Sequence, residues 1–195
     1  CRELVGGYHG PGTYVFAALL TDVAVLRMPP AALFAAVLYF MMGLRSDGTG
    51  AAFFTFLGLL ELFVMCTAAL CAWISLAAPS PAVANLVATF SLLLSAMFGG
   101  FLVNIASVHP ALRWLQWLSV FRYAWGGMLA NEMRGQVFLF DTVFEGADVR
   151  VDVSGQTYLN TFGLDPKHTA RDAACLAAIF ACLAVASYLT LAVKS

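Results

Sequence analysis

Residues 51–77, AAFFTFLGLLELFVMCTAALCAWISLA, form an apolar run interrupted by a single charge, Glu61. A helix needs about 20 mostly apolar residues to cross the ~30 Å hydrocarbon core of a bilayer. Within that core each backbone polar group must be satisfied inside the element, as a helix does. Residues 14–44, 82–103 and 173–193 meet the same length requirement, so the sequence predicts an all-α membrane protein with four spanning helices. The first segment exceeds the bilayer unless one end protrudes or tilts. Its early part carries Asp22, Arg27 and Pro29-Pro30, whereas Ala31 to Leu44 is uncharged. Ser46-Asp47-Gly48 and Pro79-Ser80-Pro81 supply the turn chemistry between the spans.

Composition agrees: 62% of the residues are hydrophobic and 11% charged, against roughly 25% charged in soluble domains. An integral, multi-pass protein of a plasma or organellar membrane is expected. The net charge of -1 offers no basic patch for nucleic acid. Of the five cysteines, Cys66, Cys71, Cys175 and Cys182 lie in apolar runs, where a thiol acts as a small hydrophobe. No CxxC occurs, and the chain opens on Cys-Arg-Glu without a signal-peptide layout. It reads as a segment of a longer protein.

Residues 104–172 separate the third and fourth spans. PALRWLQWLSVFRYAWGGMLANE is rich in Trp, Tyr and Arg at helical spacing. Trp114, Trp117 and Tyr123 are suited to the membrane–water boundary, so short re-entrant or interfacial helices, not a full span, are expected. From Phe138 to Lys167 the sequence turns polar and mixed, with short strands expected around Val149–Val153. An even number of spans places both termini on one side, and Arg2 and Lys194 favour the cytoplasm. Arg45 votes slightly the other way, and a loop this long escapes the positive-inside rule.

His9, His109 and His168 are scattered, with no HExxH pair, GxSxG elbow or phosphate-cradling GxxxxGK[ST] loop. Neither catalytic nor metal-ligating residues are predicted. Glu61 sits near the middle of the second span, where a charge costs at least ~2.5 kcal/mol. It must face protein or a wet cavity, or be protonated. Asp22 and Arg27, five residues apart, do not face each other on one helix; Arg27 either snorkels or pairs with another helix. On the third span, Leu86, Thr89, Leu93, Ala96 and Gly100 recur at three- and four-residue steps, flanked by Phe90 and Met97. That stripe reads as helix packing through small residues or as the wall of an apolar cavity. Gly99-Gly100, at the end of this span, reads as a C-cap, a close-packing spot or a hinge.

The ordered motifs resemble the C-terminal part of the transmembrane domain of G-subfamily ABC transporters, the white/brown and multidrug-resistance half-transporter group (ABC-2 type). The resemblance runs through Arg2-Glu3, Gly7-Tyr8, Tyr14, Asp22, Arg27-Met28, Tyr39–Leu44 and Phe53-Phe54. It continues through GGFLVN (Gly99–Asn104), WLQWLSVFRYAW (Trp114–Trp125), Asn131-Glu132-Met133, Gly135, Tyr158-Leu159 and Gly163.

This resemblance implies a partial ABC-2 domain over residues 1–195, with spans three to six of six. Residues 1–12, including Glu3, would be a cytoplasmic coupling helix, and residues 104–172 extracellular. A nucleotide-binding domain that binds ATP and Mg would precede residue 1, so the whole protein would hydrolyse ATP although this segment carries no cofactor. A second half-transporter, identical or different, would pair the third spans around a cavity for lipids, sterols or amphipathic xenobiotics. Thr89, Phe90, Leu93 and Ala96 fall at positions lining that cavity in a multidrug member of the family, with Leu86 on the same stripe. Phe101-Leu102 falls at the hydrophobic gate, and Arg27 at a position that influences substrate choice. Gly99 and Gly100 would then let the span bend beside the gate. The sequence departs from the family in three places. No cysteine and no N-x-[ST] sequon lies in 104–172, so no bridge or glycan is expected there; the usual NEF is Asn131-Glu132-Met133; and the gate is Phe-Leu for Leu-Leu. A non-transporting regulatory or assembly half of a heterodimer, and an ion-coupled carrier using Glu61, remain the alternatives.

Overall fold

Proline sets where the first helix begins. Pro29 and Pro30 have no N–H to offer the carbonyls of Val25 and Leu26, and their rings crowd the preceding turn. The computed structural model answers with a widened π-helical stretch over Asp22–Arg27. Helix α1, Met28–Met41, follows with the prolines in its first turn, where a missing donor leaves no intrahelical bond unmade. The structure describes residues 21–45, 50–99, 109, 114–144, 147–155, 157, 159 and 169–194.

Helix α2 spans Ala51–Ala77 and ends before Pro79. Ser80 then caps α3, Pro81–Met97, accepting from the Val83 N–H at 3.4 Å, with Pro81 opening the first turn. After a single turn, α4 (Leu115–Leu118), comes α5, Val120–Met133, capped by Ser119. Strands β1, Val137–Phe144, and β2, Ala147–Ser154, form an antiparallel hairpin with Val137 opposite Ser154 and Phe144 opposite Ala147. Helix α6, Thr169–Lys194, closes the chain.

The body is helical, and the hairpin occupies the region where short strands were expected. Among the described residues, α2 and α6 are long and apolar enough to cross a membrane, while Val25–Met41 and Pro81–Met97 are shorter apolar helices. Residues 14–20 and 100–103 of the expected spans lie outside the described residues.

Side-chain contacts fix the helix directions. Asn131 meets Ala52, Gly127 meets Leu59 and Phe121 meets Phe63, so α5 runs antiparallel to α2. Cys66 meets Leu176 while Leu62 and Ala173 pack on the same core further up, so α6 runs parallel to α2. Tyr39 stacks edge-on against Phe53 at 5.1 Å, making α1 antiparallel to α2. The hairpin, the end of α1 and the starts of α2 and α6 therefore share one side.

Helix α5 is the unusual element. Its first turn lies at the level of Phe63, about 16 Å from Ala52 at 1.5 Å per residue, and touches the end of α3 there. It re-enters the bundle, the first of the two expected alternatives. Trp114 and Trp117 are exposed as expected, but Tyr123 is buried. The reason is local. Tyr123, Ala124, Gly126, Gly127 and Ala130 are all buried on α5, and small residues let helices approach closely where lipid gives no hydrophobic drive. Leu59, Cys66, Val120, Tyr123, Ala124 and Leu176 form the core between α2, α5 and α6.

Candidate functional site

Two polar centres hold the helices around a long apolar face. The first joins the α1–α2 connection to the end of α5. The Arg45 N–H donates to Glu132 Oε1 at 2.7 Å, and its guanidinium donates to the carbonyls of Arg134 at 2.6 Å and Asn131 at 3.4 Å. A cation on the terminal carbonyls of a helix satisfies groups that lack intrahelical donors. Asn131 Nδ2 donates to the Ala52 carbonyl at 2.9 Å, and the Tyr39 hydroxyl donates to the Arg45 carbonyl. These residues clasp three helix ends together.

The second centre is Ser119, 1% exposed. Its hydroxyl donates to the Ser95 carbonyl at 2.6 Å and accepts from the Arg122 N–H at 3.2 Å. One side chain thus caps α5 and ties it to the last turn of α3. Beside it, Arg122 bonds Gln116 and lies over the Trp117 ring, 5.1 Å from the centroid. The Tyr123 hydroxyl donates to the Trp117 carbonyl at 3.0 Å.

With α3 fixed on α2 and α5, its other face is open. Leu86 is 71% exposed, Phe90 61% and Leu93 60%, with Val83, Val87, Thr89 and Met97 also exposed and Ala96 half-buried. Gly99 ends this helix in a buried spot. A Cβ there would stand 3.1 Å from Phe121 Cβ and 3.1 Å from the Ala96 carbonyl oxygen, so a side chain at this position would push α3 and α5 apart by a few tenths of an ångström.

Residues 1–133 match the ABC-2 type transporter family. The chain belongs to the ABC-2 type transporter family. It is 33% identical over 137 residues to the broad substrate specificity ATP-binding cassette transporter ABCG2 of Bos taurus, covering 70% of this chain and 21% of the relative. ABC transporter G family member 24 of Dictyostelium discoideum is 27% identical over 172 residues, 88% of this chain and 14% of the relative. A probable ATP-dependent permease of Saccharomyces cerevisiae is 27% identical over 191 residues, 97% of this chain and 18% of the relative. The chain spans about a fifth of the length of its bovine relative. It is an integral membrane protein related to G-family ABC transporters.

The ABC-2 domain brings some predicted residues together and leaves others apart. Leu86, Thr89, Phe90 and Leu93 share the open face of α3, whereas Arg27 is exposed at the end of the π-helical stretch, before α1. Glu3, Gly100, Phe101 and Leu102 lie outside the described residues. Tyr39–Leu44 and Asn131-Glu132-Met133 served in the sequence only as marks of resemblance. In space, Tyr39, Asn131 and Glu132 meet Arg45 in the clasp. Asn131 and Glu132 stand 86 and 87 residues from Arg45, which hides this from any local pattern. Among the described residues, no group of His, Cys, Asp or Glu is arranged to hold a metal.

Proposed function

We propose that this chain is the transmembrane part of an ATP-driven exporter that moves lipids, sterols or amphipathic xenobiotics by alternating access. The observation that carries the reading is the open apolar face of α3, on a helix whose other side is seated on α2 and α5. Two copies meeting about a two-fold axis would enclose a cavity walled by Leu86, Phe90 and Leu93, with Thr89 as an isolated hydroxyl. Such a cavity suits greasy ligands with few polar groups. The second copy is an identical or different half-transporter. The related proteins are named as ATP-dependent or ATP-binding cassette transporters, which supports a nucleotide-binding domain holding ATP and Mg outside this chain.

In this mechanism, closure of the nucleotide-binding domains pushes through residues 1–12, with Glu3 among them. The cavity narrows, and the ligand passes Phe101-Leu102 on the far side of Gly99-Gly100. Arg27, at the end of the π-helical stretch before α1, biases substrate choice. Differential stability of the two states, set by ATP, drives the cycle. The test is Phe101→Ala in the full-length protein, reconstituted in vesicles. Loss of ATP-dependent export with retained or raised ATPase activity is expected. Unchanged export and unchanged coupling would remove the gate assignment.

A further inference from the structure

Glu61 is a buried charged side chain that the transport reading does not use. It is 9% exposed on α2, and its Oε2 is buried with no hydrogen-bond partner among the described residues. A buried carboxylate oxygen left unmatched calls for a cation, a donor or a proton. Glu61 also lines a groove of about 950 Å³ that runs beside α2 from Phe54 to Met65 and is flanked by Met28 of α1, Thr169 and Ala173 of α6, and Arg134 just beyond α5. No residue of the α3 face lines this groove.

The groove has the size and chemistry of a ligand site: mostly apolar walls with few polar groups that fix orientation. Met28 and Met65 give adaptable thioether walls. Phe54 offers an aromatic ring, the type of surface that attracts cations. Gly58, one turn before Glu61, contributes no side chain and has nothing within 4 Å of the position a Cβ would take. Open space therefore lies next to the acid. A neutral lipid chain would fill the walls and leave Oε2 unmatched; a small inorganic cation would match the acid and leave the apolar walls empty. A cationic amphiphile answers both features.

We infer that the α1–α2–α6 groove is a second ligand site that takes a cationic amphiphile, its ammonium paired with Glu61 and its hydrocarbon along Met28, Leu62 and Met65. This site stands apart from the cavity proposed on α3, and its failure would leave that reading intact.

The experiment uses the full-length protein in nanodiscs and two fluorescent long-chain probes. One ends in a trimethylammonium group and the other in its neutral 3,3-dimethylbutyl isostere. Glu61→Gln is expected to weaken saturable binding of the cationic probe by roughly thirtyfold, the size seen when one partner of a buried charge pair is removed. The neutral probe should change by less than about twofold, because Gln keeps the volume and the apolar walls. Gly58→Leu, which fills the space beside the acid, should weaken both probes. Equal affinities of the cationic probe for Glu61→Gln and the parent would overturn the assignment. So would loss of binding in Leu93→Ala but not in Gly58→Leu, which would move the probe to α3. Absence of saturable binding, the result if another helix of the full-length protein fills the groove, overturns it as well.

Discussion

Glu132→Ala is the perturbation that tests how the ABC-2 bundle is held. The Glu132 side chain reaches from the last turn of α5 to the Arg45 N–H at 2.7 Å, in the connection between α1 and α2. Truncation removes a charge-assisted hydrogen bond, about 1.5–3 kcal/mol, and leaves that N–H without its acceptor. Part of the loss is offset, because an acid in the last turn of a helix opposes the macrodipole by about 0.3–1 kcal/mol. The net expectation is roughly 1–2 kcal/mol of destabilisation. For a domain of this size that lowers Tm by about 2–8 °C. Fluorescence-detected melting of the detergent-solubilised full-length protein reads the shift, and trypsin cleavage after Arg45 reads local loosening of the clasp. Glu132→Gln separates geometry from charge: it keeps the oxygen facing Arg45, so its Tm should stay within about 2 °C of the parent. If Gln lowers Tm as much as Ala, the acceptor geometry is irrelevant and the argument fails. An unchanged melt for Glu132→Ala would refute the clasp itself.

Ser119→Ala removes both the cap of α5 and the bond to the Ser95 carbonyl. A destabilisation of about 1–2 kcal/mol is expected, the upper range of cap loss, and a melt within 1 °C of the parent, well inside ~0.5 kcal/mol, would contradict it. Gly99→Ala places a Cβ 3.1 Å from Phe121 Cβ, shorter than the ~3.5–4.0 Å optimum for carbon pairs. Overpacking of about 1–3 kcal/mol should exceed the gain of ~0.4–1 kcal/mol from stiffening the unfolded chain. A stabilised variant would show that α3 and α5 are free to separate at this position.

Much of the architecture is legible in the chain's own punctuation. The apolar runs over 51–77 and 173–193 predict α2 and α6, and Ser80-Pro81 marks the start of α3 by supplying a cap and a residue that needs no N–H donor. Pro29-Pro30 marks the start of α1 in the same way, although the π-helical turn before it does not follow from hydropathy. At α5 a short re-entrant or interfacial helix is legible from its Trp, Tyr and Arg residues, but Tyr123, read as a boundary residue, is buried, and the signal for that was the row Ala124, Gly126, Gly127 and Ala130.

By itself the sequence determined the solvent and the segments: a chain with four long apolar stretches belongs in lipid, and its prolines, glycines and capping serines set where helices begin and end. Its ordered motifs determined the family. Only the tertiary structure decided which faces meet, that Tyr123 is buried, that Arg45 joins Asn131 and Glu132, and that Glu61 borders a groove away from the α3 face. The physical reason lies in the bilayer. In water, an apolar stripe on a helix points to the core. In lipid the surroundings are as apolar as the interior, so helix contacts rest on close packing and scattered polar bonds between distant residues, and no hydropathy period records them.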